Sequence, residues 1–162
     1  MKLPVFIDFE ASSLRVDSYP IEVAWNNQSG TIHSFLINPS HYPDDWNDWD
    51  PRAEALHGLT REYLKQHGQP PVDVARQLQD DLPKTLYSDA PDFDAFWLDR
   101  LFISANIKNN YIIKDATVLL ERLDPDYYRY HDIARRRAGK PHRAAQDVAY
   151  LVNLYTECSD LY

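Results

Sequence analysis

Hydrophobic and polar positions along the chain fall into two rhythms, one of strands and one of helices. Leu3 to Phe9 is apolar at both parities and interrupted only by Pro4, which predicts a strand buried on both faces that ends at two acids. Ile21 to Trp25 and Thr31 to Ile37 alternate at period two around the turn cluster Asn26 to Gly30, so they predict a hairpin. Asn38 to Pro51 has no period and carries three prolines, which predicts a long loop. Long loops inside small domains are often functional.

The rhythm then turns helical. Arg52 to Leu56 predicts a short helix stopped at His57-Gly58, with Thr60 placed to cap a second helix that has Glu62 in its first turn. Pro70-Pro71 restarts the chain into a helix to Asp81 with Val74 and Leu78 on its apolar face. Thr85 to Ser88 predicts a short strand, Asp89 to Asp92 a turn, and Asp94, Leu98 and Leu101 share one stripe of the helix that follows. Tyr111 to Asp115 predicts a fifth strand, with helices over Ala116 to Leu123 and Tyr127 to Ala138. The last helix is the clearest, with Val148, Leu151, Val152 and Tyr155 at i, i+3, i+4 and i+7. Three strands followed by alternating helix and strand predict an α/β fold, a mixed five-stranded sheet of three antiparallel and then two parallel strands, flanked by helices.

Composition narrows this further. At 162 residues, 44% hydrophobic, the chain suits one domain spanning 1–162 with a sizeable core. A single cysteine, Cys158, excludes an internal disulfide framework and suits a reducing compartment. No apolar stretch approaches bilayer length and the first residues lack a leader pattern, so the expectation is a cytoplasmic protein with no membrane partner. A net charge of −8 argues against binding through a broad basic surface. One dense basic run, Arg135 to Arg143, leads into His142; it reads either as a solvated helix end or as a source of phosphate contacts.

The candidate chemistry lies in scattered acids. Asp8 and Glu10 are two apart on a predicted strand and share one face. Asp94 lies on a helix stripe with core residues, and His142 precedes Asp147 by five positions at the start of the last helix. Taken singly, each has a plain explanation: Asp94 as a helix cap, Asp147 as a first-turn acid, His142 as a surface residue. Together they suit a pair of hard divalent cations, since magnesium takes one or two carboxylates and leaves other positions to water and phosphate. Two ions ~3.5–4 Å apart stabilise both the attacking and the leaving oxygen of a phosphodiester, and an imidazole can accept the proton of the attacking water. The expectation is metal-dependent phosphodiester hydrolysis.

These motifs carry a resemblance. Asp8-Phe9-Glu10, Asp94, and His142 to Asp147 within His142-Arg143-Ala144 resemble, in order and context, the three motifs of the DnaQ-like, or DEDDh, exonucleases of the ribonuclease H-like fold, over residues 6 to about 155. The resemblance implies a ribonuclease H-like sheet and a 3′-to-5′ exonuclease releasing nucleoside 5′-monophosphates from single-stranded DNA or RNA 3′ ends. It also implies two magnesium or manganese ions held by Asp8, Glu10, Asp94 and Asp147, with His142 as general base and Glu10 beside it in catalysis. His57-Gly58-Leu59-Thr60 is similar to a His-Gly-Ile-Thr segment that in relatives lies against the terminal nucleotide. That likeness implies substrate contacts from His57 and Leu59, with Ser12, the backbone beside Glu10, and Arg143 nearby; for Leu59 a plain core position is the competing reading.

The chain also departs from the pattern. Many relatives carry His-Asn-Ala shortly before the second-motif aspartate, where this chain has Ser88-Asp89-Ala90-Pro91-Asp92-Phe93-Asp94, leaving the role of Asp89 and Asp92 open. Relatives often place a glycine after the first motif, and this chain has Ala11-Ser12-Ser13. A non-catalytic nucleic-acid- or protein-binding module on the same fold is the alternative function, opposed by the complete acid set. Several relatives are dimers, so the resemblance admits a homodimer. Tyr42, Trp46, Trp49 and Trp97 suit either base stacking or, as burial of large aromatics favours, packing of the loop onto the core. Nothing in the residues chooses between DNA and RNA, because that depends on how a 2′-hydroxyl is met.

Overall fold

A computed structural model describes residues 2–159. Its strands are β1 (Ile7–Ala11), β2 (Pro20–Asn26), β3 (Ile32–Leu36), β4 (Thr85–Ser88) and β5 (Ile112–Asp115). β1, β2 and β3 form an antiparallel meander in which Asp8 faces Ala24 and Glu10 faces Glu22, while β4 and β5 pair in parallel. A parallel bridge between Phe6 and Tyr87, with the Tyr87 N–H donating to the Val5 carbonyl at 3.0 Å, joins the two parts into one mixed sheet of order β3-β2-β1-β4-β5. The expected fold class holds.

The helices are α1 (Pro51–His57), α2 (Arg61–His67), α3 (Pro71–Asp81), α4 (Pro91–Ser104), α5 (Ala116–Leu123), α6 (His131–Ala138) and α7 (Ala144–Ser159). One core, with Ile7, Phe9, Val23 and Trp25 from the sheet, packs against Val74 and Leu78 of α3 and Leu98 and Leu101 of α4. The other sets Phe6 and Ala24 against Val148, Leu151 and Leu154 of α7 and Leu120 of α5. Residues of alternate parity on β1 therefore serve opposite faces, and Asp8 and Glu10 share the parity of Phe6, on the side covered by α7. No described helix is long and apolar enough to cross a membrane.

Three boundaries differ from the sequence reading. β1 begins at Ile7 rather than Leu3, because the Asn26 side chain takes over the local pairing: its Oδ1 accepts from the Phe6 N–H at 2.8 Å and its Nδ2 donates to the Pro4 carbonyl at 2.9 Å. The expected turn over Asp89 to Asp92 is shorter, since Pro91, preset for a first helical position, starts α4 and puts Asp92 and Asp94 in its first turn. The span Tyr127 to Ala138 divides into a 3-10 turn, Tyr127–Tyr130, and α6. Cys158 is buried on α7, which pushes its thiol pKa up to about 11 and leaves it a packing residue.

Candidate metal centre and its cleft

β1 leaves the core at its acids, and three other elements bring carboxylates to the same place. Oxygens of Asp8, Glu10 and Asp147 lie within 4.8 Å of one another, and so do oxygens of Asp8, Asp89 and Asp94. Asp8 belongs to both groups. It is only 9% exposed, and its Oδ2 is buried without a hydrogen-bond partner.

Each acid is held by its surroundings. β4 ends at Ser88, so the Phe9 N–H, which faces that side of β1, donates instead to Asp94 Oδ1 at 3.2 Å. The Ser88 hydroxyl donates to Asp94 Oδ2 and accepts from the Ala90 N–H at 2.9 Å, which fixes the entry to α4 and aims Asp94 in one arrangement. Asp147 Oδ1 accepts from Arg135 Nη1 at 2.8 Å, and its Oδ2 accepts from the His142 N–H at 2.9 Å. Arg135 also lies over the Tyr150 ring, 4.0 Å from its centroid, and the Tyr150 hydroxyl meets His131 Nδ1 at 2.8 Å. α7 itself is anchored by a strand. Buried Glu22, opposite Glu10 on β2, accepts from the Ala144 N–H at 3.1 Å and takes a bidentate pair from Arg143 at 2.8 to 3.3 Å.

Crowding these carboxyls raises their pKa values. For Asp8, burial is the main cause, followed by Asp94, Glu10, Asp147 and Asp89, and the pKa rises well above the usual carboxylate range. Glu10 is pushed up to about 8 by burial and then by Asp147 and Glu22, against the lowering effect of Arg143. Asp94 also rises to about 8 through burial, although the Ser88 hydroxyl and the Phe9 N–H pull the other way. Asp89 is exposed as a residue, yet its carboxyl leans into the cluster, where desolvation and then Asp147 raise its pKa. A set of oxygen donors strained by mutual repulsion, with an unpartnered buried oxygen at its centre, fits hard divalent cations.

Beside the acids lies a cleft of about 570 Å³. Glu10 and His142 stand at its acidic end, and Phe9, Leu14, Ala53, Leu56 and Trp97 make its apolar lining, with His57 at the edge of α1 and Arg15 and Arg52 also contributing. Two of those apolar side chains are open to solvent, Leu14 at 72% and Leu56 at 57%. His142 has a left-handed backbone (φ 67°), an uncommon conformation for a residue with a Cβ, held here by the hydrogen bond from its N–H to Asp147.

The chain shares the fold of exonuclease I. No protein-family model matches it, and no curated protein does. Among solved structures, it is similar to E. coli exonuclease I in complex with a dA16 oligonucleotide, with a TM-score of 0.72 and 16% identity over 97% of this chain and 40% of that one. It is similar also to the zinc-ion-bound form of the E. coli exonuclease I complex with single-stranded DNA, with a TM-score of 0.71 and 17% identity over 97% of this chain and 42% of that one. A product-bound structure of exonuclease I matches with a TM-score of 0.66 and 14% identity over 97% of this chain and 45% of that one. The chain thus spans less than half the length of the exonuclease I chains it matches, and at this identity the likeness is one of fold.

The structure brings together Asp8, Glu10, Asp94 and Asp147, with His142 on the adjoining cleft. It distributes the expected substrate contacts differently. Leu59 is 2% exposed and sits in the core, and the leucines lining the cleft are Leu14 and Leu56, the latter next to last in α1. The Ser12 hydroxyl is buried, donating to Asp48 Oδ2 at 3.2 Å and accepting from the Tyr19 N–H at 3.2 Å. Ser13 and Arg15 bind the same Asp48 at 2.5 and 2.9 Å, so this acid, from the long loop, secures the turn that lacks the relatives' glycine. His57 lines the cleft; its Nδ1 accepts from the Leu59 N–H at 3.0 Å, and burial lowers its pKa. Its Nε2 makes no hydrogen bond of good geometry, although the Ala11 backbone is close enough to favour the protonated ring.

Of the basic run, Arg135, Arg137 and Arg143 are committed to Asp147, Glu157 and Glu22. The four aromatic candidates for base stacking are occupied in packing. Trp46 stacks on Tyr19 at 5.2 Å, the Tyr42 hydroxyl donates to the Ser104 carbonyl at 3.0 Å, Trp49 donates to Glu54 at 2.7 Å, and Trp97 to Ser18 at 2.9 Å. Glu22, Asp48, Ser88 and Arg135 escaped the sequence reading because their partners are non-local; only Ser88, two residues before Ala90, carried a recognisable capping signal.

Proposed function

We propose that the chain is a metal-dependent 3′-to-5′ exonuclease that hydrolyses phosphodiester bonds at the 3′ end of single-stranded DNA or RNA and releases nucleoside 5′-monophosphates. The observation that carries this reading is the meeting of Asp8, Glu10, Asp94 and Asp147 around one unpartnered buried oxygen, at the mouth of a cleft that His142 also faces. The matching exonuclease I structures are complexes with dA16 and with single-stranded DNA, which supports a single-stranded substrate.

Two magnesium or manganese ions would be held by Asp8, Glu10, Asp94 and Asp147. When bound, they supply Lewis acidity to the scissile phosphate and its attacking and leaving oxygens. The protein does the rest by placement. Ser88 and the Phe9 N–H orient Asp94, while Arg135 and the His142 N–H orient Asp147. The apolar end of the cleft, at Leu14, Ala53 and Leu56, receives the terminal base through contacts that any base satisfies, so the substrate is selected by having an end rather than by sequence. His142 accepts the proton of the attacking water from its position on the cleft wall.

The test is a 5′-labelled oligonucleotide incubated with the purified chain and magnesium or manganese. A descending ladder is expected from the intact chain and none from Asp8→Ala or His142→Ala. Undiminished digestion by both variants would remove the assignment.

A further inference from the structure

Asp89 follows β4 directly and stands five residues before Asp94, in the turn that enters α4. It lies where many relatives carry His-Asn-Ala, so its carboxylate is a property of this chain and not of the four-acid pattern it resembles. An oxygen of Asp89 lies within 4.8 Å of oxygens of both Asp8 and Asp94. Ligands on one octahedral ion with bonds of about 2.1 Å are about 3.0 Å apart when adjacent and about 4.2 Å when opposite, so the three carboxylates would have to draw together by side-chain adjustment to share one cation. Proximity of acids alone would be weak ground. The independent sign is Asp8, common to both groups, almost wholly buried and with one oxygen that no donor satisfies.

We infer that Asp89 is a fifth metal-ligating carboxylate, which with Asp8 and Asp94 completes a second cation site that fills before nucleic acid arrives. The inference rests on the metal-dependent reading above and adds an order of events to it. Magnesium-type sites commonly offer one or two carboxylates and wait for substrate phosphate to complete them. Here the first group, Asp8, Glu10 and Asp147, and the second, Asp8, Asp89 and Asp94, each present three. With Asp8 as the bridge, two divalent ions offset four of the five negative charges in the absence of substrate. Asp94 keeps free lone pairs for this, since each of its oxygens accepts one hydrogen bond, from Phe9 or from Ser88. Asp89 reaches the cluster from an exposed turn and can adjust to the ion.

Titration calorimetry of the full chain with manganese, without nucleic acid, tests this directly. The intact chain should bind two equivalents. Asp89→Ala should bind one, with its second site weakened by at least the ~10–100-fold that losing even an outer-sphere partner costs, and recovered only when a nucleoside 5′-monophosphate is present. Asp92→Ala, which removes an equal charge from the same turn outside the cluster, should keep both. The metal-free melting temperature of Asp89→Ala should equal or exceed that of the intact chain, showing that the variant folds. Two equivalents in Asp89→Ala, an equal loss in Asp92→Ala, or a single equivalent in the intact chain would overturn the role of Asp89 and leave the proposed function standing. No manganese binding by the intact chain would overturn both.

Discussion

The two ends of the cleft are built on opposite terms. At the acidic end two of the acids are tied down, Asp94 by a strand N–H and a serine and Asp147 by an arginine and a backbone N–H, and Glu22 fixes the start of α7. At the apolar end Leu14 and Leu56 stand largely in water, on a loop and on a seven-residue helix, with no polar group to fix them. A centre that places charge to close tolerance has to be tied to the sheet, whereas a surface that takes any base, as proposed for this cleft, needs only to be apolar and accessible. The difference teaches that loss of activity and loss of affinity should separate along the cleft.

The largest effect should come from the locked end. Asp94→Asn keeps the shape but removes a ligand charge, and kcat should fall by ~10³-fold or more, while the metal-free protein becomes more stable because a buried, repelled carboxyl is gone. A variant that loses activity and stability together would show that the acids hold the fold rather than the ions. Next is His142→Ala, expected to lower kcat by ~10²–10⁴-fold with manganese affinity unchanged, the range for loss of a general base. If calorimetry instead found weaker metal binding, the imidazole would be supporting the metal centre rather than taking a proton. At the open end, Leu56→Ala should raise KM by roughly 5–10-fold, from about 1 kcal/mol of lost apolar contact, with kcat nearly constant. An equal fall in kcat would dissolve the contrast between the two ends.

The smallest effect is one of pH. Folded-state pKa values of about 8 for Glu10 and Asp94, against ordinary values of 4.5 and 3.8, mean that the folded chain holds protons the unfolded chain has released. Stability without metal should therefore be highest below about pH 4, decline as pH rises towards about 8, and level off above it. In chelator, the melting temperature should drop by roughly 5 °C or more between pH 5 and pH 8.5, and manganese should flatten that slope. A metal-free melting temperature that rose over the same interval would contradict the buried, repelled acids.

Much of this was legible in the sequence because it is local. Thr85 to Ser88 and Ala116 to Leu123 have the predicted bounds, since a turn cluster or an Asp cap marks each edge. The ligand acids were recognisable by their order and their apolar neighbours. What stayed hidden depends on partners brought from afar. Asn26 shortens β1 from 20 residues away, Glu22 reaches α7 across 122, and Arg135 meets Asp147 through the packing of α6 on α7. Leu59 took the core position that was one of its two readings, and Leu56 came to line the cleft because which side of a short helix faces it is set by how that helix docks.

Glu22 has one more bearing on how the molecule works. Because it clamps both the Arg143 side chain and the Ala144 amide, the short tether between α6 and α7 is pinned to the hairpin at its downstream end, with His142 the residue just before the pin. Movement of that hairpin would therefore reach the backbone that carries the imidazole. The β1–β2 ribbon is thus a tie as well as a floor, and a molecule that pressed on its far turn would be felt at His142, the proposed general base.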